Sequence, residues 1–84
     1  MNWIHKQPLG KIAQYINFRQ KFYMLEVKRE CDINYSHLVR LFQQLEKVGM
    51  LESEKKGRKR WYWKTKKGNQ YFHNLFIAQI LEKD

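Results

Sequence analysis

Apolar residues in this chain fall at helical spacing in four stretches and in short strand-like runs between them. Leu9, Ile12, Ala13 and Ile16 recur at three- and four-residue steps behind Pro8, with Lys11, Gln14 and Asn17 turned elsewhere. That spacing predicts a first helix over 8–19, which a proline suits because the first turn leaves its amides unpaired. Phe22, Tyr23 and Met24 make a brief run of strand type. Val27 and Cys31, four residues apart, give one face to a short second helix over 25–31, which Asp32-Ile33-Asn34 breaks. The clearest pattern follows. Leu38, Leu41, Phe42, Leu45 and Val48 form a narrow apolar stripe over 35–48, with Asn34 placed to cap its start and Gly49 to end it.

Beyond Gly49, residues 50–54 and 60–65 read as two strands joined by Lys55-Lys56-Gly57-Arg58-Lys59, so 50–65 is expected to form a β-hairpin. Thr65 is placed to cap a last helix over 66–82, in whose first turn Gly68 is expected to cost about 1 kcal/mol relative to alanine. The fold class expected is mainly α with a small β-hairpin (α+β), within a single domain over 1–84 that opens with an arm carrying Trp3 and Ile4.

Charge changes the picture next. Seventeen Lys and Arg against eight Asp and Glu give a formal net charge of +9, which favours a polyanionic partner: DNA, RNA, an anionic membrane surface or an acidic protein. Residues 1–10 do not have the form of a signal peptide, and no stretch of about 20 apolar residues is present to span a bilayer, so a cytoplasmic protein without a membrane partner is expected. Cys31 is the one cysteine and excludes an intrachain disulfide. His5, His37, His73 and Cys31 are scattered without a close pair, so no metal or other cofactor is expected. With no nucleophile in a recognisable catalytic setting, the chain is not expected to be an enzyme.

The helix over 35–48 carries the candidate chemistry. Opposite its stripe lie Ser36, Arg40, Gln43 and Lys47, with Tyr35, His37, Val39 and Gln44 alongside and Asn34 at its head. A helix fits the major groove, where arginine can grip guanine with two bonds, glutamine can pair adenine, and valine can meet the thymine methyl. Such a face is also common on ordinary bundle helices, and the next segment tips the balance. Between Lys55 and Lys67 stand eight basic residues and no acidic one, interleaved with Trp61, Tyr62 and Trp63. Lys55, Lys56, Arg58, Lys59 and Arg60 concentrate positive charge on a hairpin that can touch phosphates or enter the minor groove. The sequence does not say which of the three rings face the core.

Three segments resemble winged helix-turn-helix regulators of the MarR-like kind. Residues 33–40 (INYSHLVR) resemble the turn and recognition helix, residues 45–52 (LEKVGMLE) the helix end and first wing strand, and residues 56–68 (KGRKRWYWKTKKG) the wing and the start of the final helix. The resemblance covers roughly residues 8 to 75. It implies a three-helix core with a wing and a C-terminal helix, with Tyr35, Ser36, His37 and Arg40 at the major groove and Arg58 in the wing. Lys28 and Asp32 stand where the family has a small residue and a glycine, and Lys64 where it has a leucine.

Between Tyr71 and Leu81, eight of eleven residues are apolar and nearly encircle the helix, which one small core cannot cover. A homodimer through Phe72, Leu75, Phe76, Ile77, Ile80 and Leu81 is expected, and the resembling family commonly dimerises through terminal helices. The alternative is a monomer whose last helix lies in a deep groove. A twofold dimer would set two recognition helices about 34 Å apart on double-stranded DNA. The expected function is a sequence-specific DNA-binding regulator, most economically a repressor, with no inferable small-molecule ligand. The alternatives are a winged-helix protein-interaction module and an architectural nucleic-acid binder without sequence preference.

Overall fold

A computed structural model describes residues 8–81. Its elements run α1 (Pro8–Ile16), β1 (Phe22–Tyr23), α2 (Met24–Cys31), α3 (Tyr35–Lys47), β2 (Leu51–Lys56), β3 (Lys59–Lys64) and α4 (Lys66–Leu81). This is the α+β order expected from the sequence. The arm with Trp3 and Ile4, and the expected end of the last helix at Glu82, lie outside the described residues.

Three helices close around one apolar centre. Ile12, Ala13 and Ile16 of α1, Val27 and Cys31 of α2, and Leu38, Phe42 and Leu45 of α3 are buried together with Phe22, Ile33, Leu51, Tyr62 and Phe72. Phe42 sits at the middle, its ring edge-on to Phe22 at 6.1 Å and to Tyr62 at 4.8 Å. Aromatic rings favour that geometry because a positive rim meets a negative face.

The helix ends follow from local chemistry. α1 stops at Ile16, three residues short of the expected Arg19, at Asn17, whose side chain as well as its backbone amide donates to the Ala13 carbonyl. The side-chain nitrogen of Asn17 reaches the carbonyls of Ala13 and Phe72, each at 2.8 Å, tying the end of α1 to α4. α2 begins one residue before its expected start. Glu26 accepts from the Tyr23 amide at 3.1 Å and from the Tyr15 hydroxyl at 2.7 Å, fixing the start of α2 on α1. Burial, and then that bond to Glu26, pushes the Tyr15 phenol up to about 12.

α2 closes at Asp32 with φ +53, a left-handed backbone, at the position where the sequence departs from the family's glycine. A short polar side chain tolerates that conformation better than most. Asn34 caps α3, its Oδ1 accepting from the His37 amide at 3.2 Å. At the other end Gly49, with φ +82, turns the chain so that the Met50 amide donates back to the Leu45 carbonyl at 2.8 Å.

The sheet is antiparallel in the order β1-β3-β2. Gly57, with φ +66, takes the first place of the two-residue turn between β2 and β3, where a glycine removes the steric penalty. Leu51 pairs with Lys64, Ser53 with Tyr62 and Lys55 with Arg60, so these residues share the inner face; Glu52, Glu54, Lys56, Lys59, Trp61 and Trp63 share the outer one. Tyr62 is therefore the ring of the three that enters the core, and both tryptophans lie half-buried on the outside. Lys64 faces inward where a leucine was the family pattern. Its stem lies beneath the sheet and its ammonium donates to the Ile16 carbonyl at the end of α1, 2.9 Å away. Burial holds its pKa below the usual lysine value.

α4 is fastened at its start to the end of α3. The Thr65 hydroxyl donates to the Gly49 carbonyl and accepts from the Gly68 amide at 3.0 Å, and the Lys67 ammonium donates to the Val48 carbonyl at 2.9 Å. Gly68 is buried against Met50, and a β-carbon there would collide with the Met50 carbonyl. The glycine that weakens the helix in isolation is what lets the helix dock.

Candidate nucleic-acid interface

The polar side of α3 is open along its length. Ser36, His37, Arg40, Gln43, Gln44 and Lys47 are exposed, and Tyr35 is nearly half exposed. Ser36, Arg40, Gln43 and Lys47 lie directly opposite the buried stripe of Leu38, Phe42 and Leu45. Tyr35, Val39 and Glu46 fall on the flank nearer the hairpin, while His37 and Gln44 fall on the far flank. Val39 is half-buried and offers less of its surface than its neighbours. Asn34 is exposed, but its side-chain oxygen is committed to capping the helix.

All five hairpin cations named from the sequence are exposed, yet the register divides them. Lys55 and Arg60 project on the inner face, the side of α3; Lys56 and Lys59 project on the outer face; Arg58 sits in the turn. Lys59 has its ammonium 4.2 Å from the centre of the Tyr23 ring and 5.8 Å from that of Trp61, held by cation–π attraction on the outer face. Lys21 lies similarly over Trp63 at 5.4 Å, and the indole of Trp63 donates to Glu52 at 3.1 Å. The outer face thus has its aromatic rings covered by its own lysines and mixed with acids.

A polar chain joins hairpin to helix. The Ser53 hydroxyl donates to Glu46 of α3 at 2.9 Å and accepts from the Arg60 guanidinium at 3.0 Å. The sequence reading passed over Glu46 and Ser53; the signal for them was positional, a short hydroxyl on the inward parity of a strand otherwise filled with charges.

The remaining candidates separate. Cys31 is buried with its thiol directed at the Lys11 carbonyl, 3.6 Å away, and burial pushes its pKa up to about 11, which leaves little thiolate at neutral pH. Among the described residues no three of His, Cys, Asp and Glu converge as a metal site, and no helix is long and apolar enough to cross a membrane. On α4 the expected interface residues do not form one surface. Phe72 is wholly enclosed by the chain's own core, with Ile12, Ile16 and Phe22 in the same cluster, and leaves no surface for a second copy; its carbonyl also accepts from Asn17 at the end of α1. Leu75 and Phe76 are half-buried, whereas Ile77, Ile80 and Leu81 are exposed, the last by 72%. Phe18, 73% exposed in the loop after α1, stands edge-on to Phe76 at 5.4 Å and extends the patch.

No family model and no curated protein matches this sequence. Solved structures do. A crystal structure from Archaeoglobus fulgidus superposes with a TM-score of 0.78 at 21% identity, over 94% of this chain and 91% of that one. A MarR-family transcriptional regulator from Silicibacter pomeroyi gives 0.72 at 14% identity, over 84% of this chain and 52% of that one. Reduced AbfR bound to DNA gives 0.70 at 18% identity, over 84% of this chain and 53% of that one. The chain thus spans about half the length of the Silicibacter regulator and of AbfR. The fold of this chain is the winged helix-turn-helix, with α2 and α3 as the helix-turn-helix, β2 and β3 as the wing, and an architecture shared with MarR-family regulators.

Proposed function

We propose that this chain is a sequence-specific regulator of transcription that binds double-stranded DNA in the cytoplasm, with α3 in the major groove and the wing on the backbone or in the minor groove. The observation that carries this reading is the exposed row Ser36, Arg40, Gln43 and Lys47 on a helix whose opposite side is locked into the core. Hydrogen-bonding side chains on a rigid rod are what base edges require. Lys55, Arg58 and Arg60 of the wing supply positive charge beside it. A relative of the same fold has been seen bound to DNA, which favours a duplex over the other polyanions. The protein acts as a homodimer through the exposed Phe18, Ile77, Ile80 and Leu81 with the half-buried Phe76 among them, apolar surface that water does not favour. Repression by occupancy of the site is the economical mode of action.

Selection of bound duplexes from a random pool, followed by titration of the winning sequence, tests the reading. Arg40→Ala relaxes preference at one base position and costs about 1–3 kcal/mol, whereas Arg58→Ala weakens all sequences alike and lowers the salt slope by about 1. Arg58 is a better wing probe than Lys59, whose ammonium already rests on two aromatic rings. Tight binding with no preferred sequence would make the protein architectural, and negligible duplex affinity at moderate salt would make it a protein-interaction module.

A further inference from the structure

Among the described residues the exposed Ser53–Glu46 bond is the one side-chain hydrogen bond between the strands of the wing and the recognition helix, and Arg60 of the wing bonds the same hydroxyl. That hydroxyl uses its one proton on Glu46 and a lone pair on Arg60, so a single oxygen bridges an anion on α3 and a cation on β3. Arg60 has a reason to need this partner. Its cross-strand neighbour on the same face is Lys55, and like charges placed directly opposite each other repel. The guanidinium instead reaches diagonally to Ser53 and points back along the sheet toward the helix. Below this bridge the hairpin is held by Leu51 and Tyr62 in the core; above it, toward Gly57, the strands are exposed.

We propose that Ser53 is the positioning residue of the wing: with Glu46 and Arg60 it braces the outer half of the hairpin against α3 and so sets the distance between the wing tip and the exposed row of that helix. On the DNA-binding reading, on which this second step rests, that distance decides whether base-edge and phosphate contacts are made together. Arg60 then acts mainly through the brace, leaving Arg58 and Lys55 as the cations free to meet phosphate.

Spin labels at Gln43→Cys and Arg58→Cys in a Cys31→Ala background report the distance from helix to wing tip in the free protein by pulsed dipolar spectroscopy. The expected result is one narrow distribution, broadened by Ser53→Ala and by Glu46→Ala and restored by Ser53→Thr, which keeps the hydroxyl. Thermal unfolding of each variant shows that the fold is intact. An unchanged width in both alanine variants overturns the brace. In unlabelled protein, Ser53→Ala weakens the selected duplex roughly 3- to 10-fold and lowers the salt slope by about 1, with base preference retained; a broadened distribution with unchanged affinity and salt slope overturns the link to binding. If the parent protein binds no duplex at all, the proposed function falls, and the distance measurement still decides the brace.

Discussion

α3 and α4 are the two long helices of this molecule, and they treat their apolar residues in opposite ways. α3 gathers Leu38, Phe42 and Leu45 on one side and leaves the other to polar groups. α4 spreads Tyr71, Phe72, Leu75, Phe76, Ile77, Ile80 and Leu81 around its axis, and the chain covers only part of them. One helix is finished within its own fold and presents hydrogen-bonding groups outward; the other is unfinished and presents hydrocarbon. Each surface selects a different kind of neighbour, since polar groups gain from a polar partner that can replace water while hydrocarbon gains from any surface that excludes it. Fixed at its start, α4 is covered on one side along its length, with Gln79 buried in its last turns, while Ile77, Ile80 and Leu81 beside it stay exposed.

That contrast can be broken most sharply with paired phenylalanines. Phe42→Ala removes the ring at the centre of the core and is expected to cost roughly 3–5 kcal/mol, enough to lower the unfolding temperature by tens of degrees in a domain of this size. Phe76→Ala, on the half-buried side of α4, should cost well under half as much; equal losses in calorimetry would show that α4 is as deeply packed as α3. Next in size is Gly68→Ala, which drives a methyl into the Met50 carbonyl and is expected to lose roughly 1–3 kcal/mol despite the better helix propensity of alanine. A more stable variant would mean that α4 does not dock as closely as described.

Asn34→Ala removes the cap of α3 and should cost about 1 kcal/mol by chemical denaturation. The smallest effect on stability, under about 1 kcal/mol for the isolated chain, belongs to Leu81→Asp with Ile80→Asp, because Leu81 is 72% exposed and Ile80 48%. Sedimentation should nevertheless show that this double variant abolishes any dimer formed by the parent; a large stability loss without a change in mass would place the end of α4 inside the core.

Local signals carried much of this architecture into the sequence. The Asn34 cap, the stop at Gly49, the turn at Gly57 and the Thr65 cap each depend on a few neighbouring residues, and each is in place; the α3 stripe holds from Leu38 to Leu45 but not at Val48, which caps the helix one residue past its end and is 49% exposed. What stayed hidden depends on residues far apart along the chain. Trp61 and Trp63 outnumber Tyr62, and hydrophobicity alone favours burying the tryptophans; pairing with β1 and β2 turns Tyr62 inward. Phe72 looks no different from Phe76 on a helical wheel until it is set in one cluster with Ile12, Ile16 and Phe22. The value of Gly68 is visible only when the Met50 carbonyl is beside it. The same distinction applies to the interface: the exposed row on α3 was readable from periodicity, while the division of wing cations between two faces required the strand register.

That register has a consequence for how the hairpin tolerates changes in length. The inward and outward sets are anchored at the Leu51–Lys64 end, so residues added at the turn around Gly57 and Arg58 lengthen the arm without exchanging its faces. A single residue inserted between Leu51 and Ser53 would instead shift every later β2 side chain to the opposite face, carrying Ser53 away from Glu46. Natural variation in reach is therefore expected at the tip, with strict length conservation at the root.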